Sequence, residues 1–129
     1  MNEIKVGIIG AGYVGLTTSI TFSERGYNVF VHDKNEKIIS KLRKGLSPFF
    51  EPGIDELLKK QLNNKSINIC KSVKDVVAKC DVIFICVGTP SNQDGSVNLL
   101  YIKSATEDIA RSIKYIKHRI TIILKSTVI

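Results

Sequence analysis

The chain has 129 residues, 43% of them hydrophobic and 24% charged, with three prolines and a formal net charge of +7. This composition excludes a disordered tail, a collagen-like repeat and a proline-rich linker, and it predicts one globular domain over residues 1–129. The basic excess lacks a groove-entering motif or interleaved aromatic residues, so we expect a lysine-rich solvated surface and no nucleic-acid partner.

Strand and helix patterns alternate along the whole chain. Apolar and β-branched runs predict five strands, over residues 4–9, 28–32, 67–70, 82–87 and 120–124. Apolar residues at helical spacing predict helices that contain Val14 to Phe22, Ile38 to Leu42, Ile54 to Leu62, Val76 with Val77, and Leu99 to Tyr115. The alternation predicts an α/β fold, a doubly wound and mostly parallel Rossmann-type sheet with helices on both faces.

Several helix ends can also be assigned from the sequence. Gly26 and Gly45 stand where a helix takes its left-handed C′ residue. Pro52 is expected in the first turn of the third helix, where no amide proton is needed. Ser72 followed by Asp75 resembles a capping box that opens the fourth helix.

Two features that could indicate other classes of protein do not do so. Residues 6–23 carry no charge, but four glycines and five serine or threonine residues interrupt them, so we expect neither a membrane span nor a secretory signal. Cys70, Cys80 and Cys86 make an odd count and no pair has the C-x-x-C spacing, so neither a disulfide scaffold nor a metal site is indicated. Cys86 lies in an apolar run and is expected to pack as a small hydrophobe, and reduced thiols fit a cytoplasmic protein.

The glycine cluster after the first strand has the spacing G-x-G-x-x-G. Gly10 would permit the tight turn, Gly12 would let the backbone approach a pyrophosphate, and Gly15 would let the helix lie close to the sheet. Asp33 follows the second strand, where a carboxylate can accept hydrogen bonds from the adenosine ribose and repel the 2′-phosphate of NADP. The motif predicts NAD binding; the alternative is a structural turn with an acidic cap.

Parallel strands place ligands beyond their carboxyl ends, which directs attention to the residues after the fourth and fifth strands. The residues after these two strands form the motifs Val87 to Pro90 and Lys125 to Val128. With Ile9 to Leu16, and with Ser47-Pro48 and Glu51-Pro52-Gly53, the chain has four motifs. Together, and in unbroken order over the whole chain, the four motifs resemble the NAD-binding half of the UDP-glucose/GDP-mannose dehydrogenases.

The resemblance implies an activity and a set of site residues. Family members oxidise C6 of a nucleotide sugar from alcohol to carboxylate with two NAD, through a thiohemiacetal on a cysteine, and they are homo-oligomers that supply polysaccharide synthesis. By resemblance, the cofactor-binding residues are Gly10, Gly12, Tyr13, Val14, Gly15, Asp33, Gly88, Thr89, Pro90, Ser126 and Thr127. Thr127 also resembles the threonine that helps to position a water in the active site, whereas helix initiation explains Glu51 equally well, so no catalytic role is assigned to it.

The chain departs from the family pattern in two places. The family commonly has a basic residue five positions after the ribose aspartate; here that position is Ile38, and it is open whether Lys37 substitutes for it. The family's nucleophilic cysteine lies beyond this chain, and none of Cys70, Cys80 and Cys86 falls in its motif. We therefore expect a fragment that binds NAD but is inactive alone.

Several alternatives stay open at this point. The substrate of the parent protein is expected to be UDP-glucose, with GDP-mannose and UDP-N-acetyl-mannosamine as the alternatives. The chain could instead be a standalone nucleotide-binding or regulatory module that never joins a catalytic half. A different NAD(P) dehydrogenase with the same glycine fingerprint would not be expected to carry both Gly88-Thr89-Pro90 and Ser126-Thr127-Val128.

Overall fold

A computed structural model describes residues 3–126 of the chain. It contains five strands, which are β1 (Lys5–Ile9), β2 (Asn28–His32), β3 (Ile67–Ile69), β4 (Val82–Ile85) and β5 (Thr121–Leu124). It contains five helices, which are α1 (Tyr13–Glu24), α2 (Glu36–Arg43), α3 (Ile54–Asn63), α4 (Val73–Lys79) and α5 (Leu100–Ile113). Each of the predicted strands and helices is present, and the ends differ from the predicted ends by a few residues.

The five strands form one sheet in the order β3-β2-β1-β4-β5, and every neighbouring pair is parallel. This is the strand order of a Rossmann fold, so the predicted fold class is confirmed. In the register, Ile9 of β1 pairs with His32 of β2 and with Ile85 of β4. The carboxyl ends of these three central strands therefore meet at one edge of the sheet.

Helices cover both faces of the sheet, each over its own apolar core. On one face, Leu16, Leu42 and Leu58 bring α1, α2 and α3 against β1 and β2. On the other face, α4 and α5 pack on β4 through Val76, Val77, Ala105 and Ile109. All of these side chains are buried. The alternating faces of β1, with Ile8 in the first cluster and Ile9 in the second, explain why its sequence is a continuous apolar run.

The helix ends follow the sequence signals, with one exception. Gly26 and Gly45 take positive φ angles of 92° and 76°, and the Ser72 side chain accepts a hydrogen bond from the backbone N–H of Asp75 at 3.1 Å. The expectation for Pro52 was wrong. Gly53, with a φ of 88°, is the N-cap of α3, and because this left-handed residue interrupts the helical path, Pro52 lies in the turn before the helix.

Strand β5 lies at the edge of the sheet, and all four of its residues are exposed. Its contacts within residues 3–126 are mainly with β4, and no helix packs over it as α1 and α4 pack over β1. Within the same residues, none of the helices has the length and apolar character needed to cross a membrane.

Candidate cofactor-binding site

A cavity of about 660 Å³ opens at the carboxyl edge of the central strands. Sites for small molecules and cofactors commonly enclose about 300–1,000 Å³, so the size suits a dinucleotide. Residues from three of the four sequence motifs and from the end of β2 line the cavity. They include the predicted site residues Gly10, Gly12, Tyr13, Val14, Asp33, Gly88, Thr89 and Ser126.

The glycine turn has the geometry expected from its spacing. Gly10 has a φ of +100°, and a Cβ there would lie 2.8–2.9 Å from the backbone of Cys86 and Val87 beyond the end of β4. A Cβ on Gly15 would lie 1.7 Å from the carbonyl oxygen of Gly10. At Gly12, by contrast, a Cβ would meet no atom within 4 Å. The first and third glycines are therefore required by the fold, whereas the second only keeps space open in front of α1.

The N-terminus of α1 faces this space without a protein cap. Its N-cap is Gly12, which has no side chain to accept a hydrogen bond, and the first turn contains no acidic residue. Helices α2, α3 and α4 each carry an acid in the first turn. Because a helix N-terminus presents unpaired N–H groups and a partial positive charge, α1 offers a place for a phosphate or pyrophosphate.

Asp33 is held at the same cavity by two backbone hydrogen bonds. Its Oδ2 accepts from the N–H of Ala11 at 2.8 Å, and its Oδ1 accepts from the N–H of Asn35 at 2.8 Å. Each carboxylate oxygen has a further lone pair, so both can still accept a hydrogen bond from a ribose hydroxyl. The link to Ala11 was not predicted, and it joins the end of β2 directly to the glycine turn.

The other predicted site residues fall into three groups. Gly88 and Thr89 line the cavity, whereas Pro90 does not, and its carbonyl accepts a hydrogen bond from the N–H of Asn98 at 2.7 Å. The hydroxyl of Ser126 lines the cavity and donates to the carbonyl of Val87 at 2.7 Å. Thr127, the predicted water-positioning residue, lies outside the described residues.

Sequence reasoning missed the contribution of α5 to the cavity. Tyr101, Ser104, Ala105 and Asp108 line it, and their i, i+3, i+4 and i+7 spacing places them on one helical face. A signal was available, because this stripe of small and polar residues breaks the apolar pattern of the helix. It was overlooked because the apolar residues alone account for the packing of α5.

The basic residue that the family commonly has near the adenosine has no counterpart at Ile38, and the neighbouring Lys37 does not take its place in the cavity lining. Ile38 lines the cavity and packs against the first core cluster, while Lys37 is exposed and is not part of the lining. Lys34 lines the cavity instead, and its Nζ donates to Ser104 Oγ at 3.2 Å. This hydrogen bond joins the loop after β2, which also carries Asp33, to α5 at the cavity.

The three cysteines are buried and free. Burial raises the pKa of Cys80 to about 12 and that of Cys86 to about 11, and it also raises the pKa of Cys70. Since a nucleophilic cysteine reacts as the thiolate, these thiols are poorly suited to attack a substrate at neutral pH. Among residues 3–126, no group of three or more His, Cys, Asp or Glu side chains could hold a metal ion.

Comparisons with known proteins identify the family of the chain. The family model described as "UDP-glucose/GDP-mannose dehydrogenase family, NAD binding domain" matches residues 4–129. The chain is 41% identical over 125 residues to a UDP-glucose 6-dehydrogenase of Bacillus subtilis, a match that covers 97% of the chain and 28% of the relative.

Solved structures agree with this match. A UDP-glucose dehydrogenase from Pyrobaculum islandicum superposes with a TM-score of 0.93 and 33% identity, over 98% of this chain and 29% of that one. A ternary complex of GDP-mannose dehydrogenase from Pseudomonas aeruginosa gives a TM-score of 0.91 and 35% identity, over 95% of this chain and 28% of that one. The chain thus spans less than a third of the length of these relatives. It belongs to the UDP-glucose/GDP-mannose dehydrogenase family and is an NAD-binding domain of that family.

Proposed function

We propose that the chain holds NAD in the cavity at the carboxyl edge of its sheet and forms the cofactor half of a nucleotide-sugar 6-dehydrogenase. The observation that carries the proposal is that the oriented carboxylate of Asp33 and the uncapped N-terminus of α1 face one cavity. A carboxylate for a ribose and a helix N-terminus for a pyrophosphate are the two polar elements that recognise the adenosine half of a dinucleotide.

Each predicted site residue has a place in this proposal. Gly12, Tyr13 and Val14 border the pyrophosphate, while Gly10 and Gly15 shape the turn that presents α1. Asp33 binds the adenosine ribose and disfavours the 2′-phosphate of NADP. Gly88, Thr89 and Ser126 border the nicotinamide side of the cofactor, Pro90 ends the loop that presents Thr89, and Thr127 positions a water there.

The bound cofactor supplies the hydride acceptor, and the parent enzyme uses it for a four-electron oxidation of the C6 alcohol to a carboxylate, with two NAD reduced. UDP-glucose is the proposed substrate, supported by the names of the Bacillus subtilis and Pyrobaculum islandicum relatives. GDP-mannose is the second candidate, supported by the Pseudomonas aeruginosa structure, and UDP-N-acetyl-mannosamine is a third. The parent protein would be a cytoplasmic homo-oligomer that serves polysaccharide synthesis.

We further propose that the chain is inactive alone. The proposal is supported by the buried, weakly acidic thiols of Cys70, Cys80 and Cys86, and by the length of the relatives, of which the chain spans less than a third. The 129-residue polypeptide, incubated with NAD and UDP-glucose, should give no increase in NADH absorbance. Turnover by this polypeptide would contradict the proposal.

Binding of NAD is tested separately from turnover. Titration calorimetry should detect NAD binding, and NAD should raise the melting temperature, since a ligand at a hundredfold excess over Kd adds about 2.7 kcal/mol to the free energy of unfolding. NADP at the same concentration should give a smaller shift, because its 2′-phosphate meets the Asp33 carboxylate. The absence of any NAD effect would contradict the proposed site.

A further inference from the structure

The cavity is joined to a second depression of the surface, between α4 and α5. This depression encloses about 470 Å³ and is lined in part by Lys71, Lys74 and Arg111. His32, Val73 and Asp108 line both the depression and the cavity, so these three residues form the wall where the two meet. Two of the three are polar, and neither has a role in the function proposed above.

The hydrogen bond made by His32 determines what its ring offers to the cavity. Its Nδ1 lies 2.8 Å from the carbonyl oxygen of Cys70, and because a carbonyl only accepts, Nδ1 carries the hydrogen. In the neutral ring, Nε2 is then an acceptor with a free lone pair. Within residues 3–126, no donor is bonded to Nε2.

Asp108 adds a second acceptor to the same wall. One of its carboxylate oxygens, Oδ1, pairs with the guanidinium of Arg111 three residues further along α5. Oδ2 has no partner among the described residues. The polar side chains of the wall, His32 and Asp108, therefore both present acceptors beside the apolar side chain of Val73.

The position of this wall relative to Asp33 relates it to the base of the cofactor. His32 immediately precedes Asp33 on β2, and Asp108 lies one helical turn beyond Ser104, which receives the hydrogen bond from Lys34. Because His32 and Asp33 are neighbours that line the same cavity, a base attached to a ribose bound by Asp33 lies within reach of this wall. The inference thus rests on the proposed function and adds the chemistry of base selection to it.

We propose that His32 and Asp108 recognise the exocyclic amino group of the adenine base, so that the site selects 6-aminopurine dinucleotides. An amino group donates two hydrogens and satisfies both acceptors. A 6-oxopurine places a carbonyl oxygen at the same position. The acceptor atoms of His32 and Asp108 then face another acceptor and form no hydrogen bond with it. The site would therefore reject the hypoxanthine and guanine analogues of NAD by an unfavourable contact as well as by the loss of a favourable one.

Titration calorimetry with NAD and with nicotinamide hypoxanthine dinucleotide tests this selection. The two ligands differ at the purine C6 substituent and the attached proton at N1. The wild-type chain should bind NAD about tenfold more tightly or better, because NAD gains the hydrogen bonds to both acceptors and avoids the repulsion that a 6-oxo group would meet there. If the wild-type chain binds the two dinucleotides with nearly equal Kd, so that the ratio of the two Kd values is near one, the inference is overturned although NAD binding is intact. Failure to bind NAD at all would overturn the proposed function and this inference with it.

Two conservative variants of His32 separate recognition from folding. His32→Asn retains a donor near the Nδ1 position for the carbonyl of Cys70 but lacks the Nε2 acceptor. His32→Gln reaches the Nε2 position with an amide oxygen. We expect His32→Asn to lower the preference for NAD over the hypoxanthine analogue to about threefold or less and His32→Gln to retain most of it, since the loss of one neutral hydrogen bond changes an affinity by roughly two- to tenfold.

Lys71→Gln is the matched control, because Lys71 lines the depression but not the cavity. It should keep the wild-type ratio, and melting curves without ligand should show that all variants fold. Retention of the full wild-type ratio by His32→Asn would assign base selection to other groups and overturn the role of His32.

Discussion

The carboxylate of Asp33 accepts a hydrogen bond from the backbone N–H of Ala11 at 2.8 Å, which ties the end of β2 to the glycine turn after β1. The two segments are 22 residues apart in the sequence. The residue proposed to bind the ribose therefore also fixes the turn proposed to bind the pyrophosphate. Removing this carboxylate should weaken the site in both places.

We expect Asp33→Asn to weaken NAD binding by about tenfold or more, because hydrogen bonds to a charged group contribute about 1.5–3 kcal/mol. The preference for NAD over NADP should also narrow, since the negative charge that faces the 2′-phosphate is removed. Titration calorimetry with both cofactors measures the two effects.

Glu36→Gln is the control for Asp33→Asn. Glu36 is an exposed acid in the first turn of α2, so the variant removes the same charge from the same loop region without touching the cavity. Its affinity for NAD should stay within about twofold of wild type, as is usual for surface substitutions away from a site. Equal loss of NAD affinity in the two variants would indicate a general electrostatic effect in place of ribose recognition.

The glycine turn offers a second comparison, between two glycines three positions apart. Gly15→Ala would place a Cβ 1.7 Å from the carbonyl oxygen of Gly10, a backbone atom that cannot move aside easily. We expect this variant to lower the free energy of unfolding by about 3 kcal/mol or more. That is the upper end of the usual cost of adding atoms to a packed core. Urea denaturation without ligand measures this loss.

Gly12→Ala should behave in the opposite way. Its Cβ would enter open space and its φ of −75° suits any residue, so the free energy of unfolding should change by less than about 0.5 kcal/mol. NAD binding should nevertheless fall by about tenfold, because the methyl group enters the space proposed for the pyrophosphate. A stable Gly12→Ala variant with wild-type affinity would contradict the placement of the pyrophosphate.

These two glycines illustrate how far sequence reasoning reaches in this fold. The G-x-G-x-x-G spacing after a β-rich run was enough to predict the strand, the turn and the helix, because the backbone requirements of that turn are local. The alternation of strand and helix patterns was enough to predict the parallel sheet, since strands that helices cover on both faces read as near-continuous apolar runs.

The parts of the site that were missed depend on contacts between distant segments. Lys34 and Ser104 are 70 residues apart, and nothing in either local pattern indicates that their side chains meet across the cavity. Similarly, the start of α2 relative to the sheet determines whether Lys34 or Lys37 reaches the cavity. Asn35 sets that start, because its side chain caps the helix by accepting a hydrogen bond from the N–H of Lys37. Local motifs predicted which strand ends carry the site, whereas tertiary packing decides which neighbouring side chains reach it.

The buried thiols predict a loss of stability at alkaline pH. Burial raises the pKa of Cys86 from 9.0 to about 11 and that of Cys80 to about 12, so the folded chain keeps protons that the unfolded chain releases. The unfolded state binds fewer protons above pH 9, and the free energy of unfolding must therefore fall as the pH rises from about 9 to 11. Below about pH 8 these groups should cause almost no pH dependence, because the thiols are then protonated in both states.

Urea denaturation at pH 8, 9.5 and 10.5 measures this loss. Tyrosine and lysine side chains also titrate in this range, so Cys86→Ala is compared with wild type at each pH. The variant should be less stable than wild type at pH 8 because it leaves a small cavity, but its stability should decline less steeply. Parallel pH profiles would show that Cys86 ionises in the folded chain as readily as in the unfolded one.

Strand β5 predicts how the isolated polypeptide behaves at high concentration. Ile122, Ile123 and Leu124 are 44%, 38% and 46% exposed, and the edge of β5 opposite β4 is unpaired within residues 3–126. An apolar edge strand with free backbone groups is a template for pairing with another chain. We therefore expect the 129-residue polypeptide to self-associate as its concentration rises, with sedimentation velocity as the measurement.

Ile123→Lys should reduce that self-association, because a charged side chain on an edge strand disfavours a second strand beside it. The control is Phe50→Lys, which removes a side chain that is 95% exposed from a loop instead of the sheet edge. If association depends on pairing at β5, Ile123→Lys should remain monomeric at concentrations where wild type and Phe50→Lys associate. An equal effect of both variants would mean that exposed apolar area in general, and not the strand edge, drives the association.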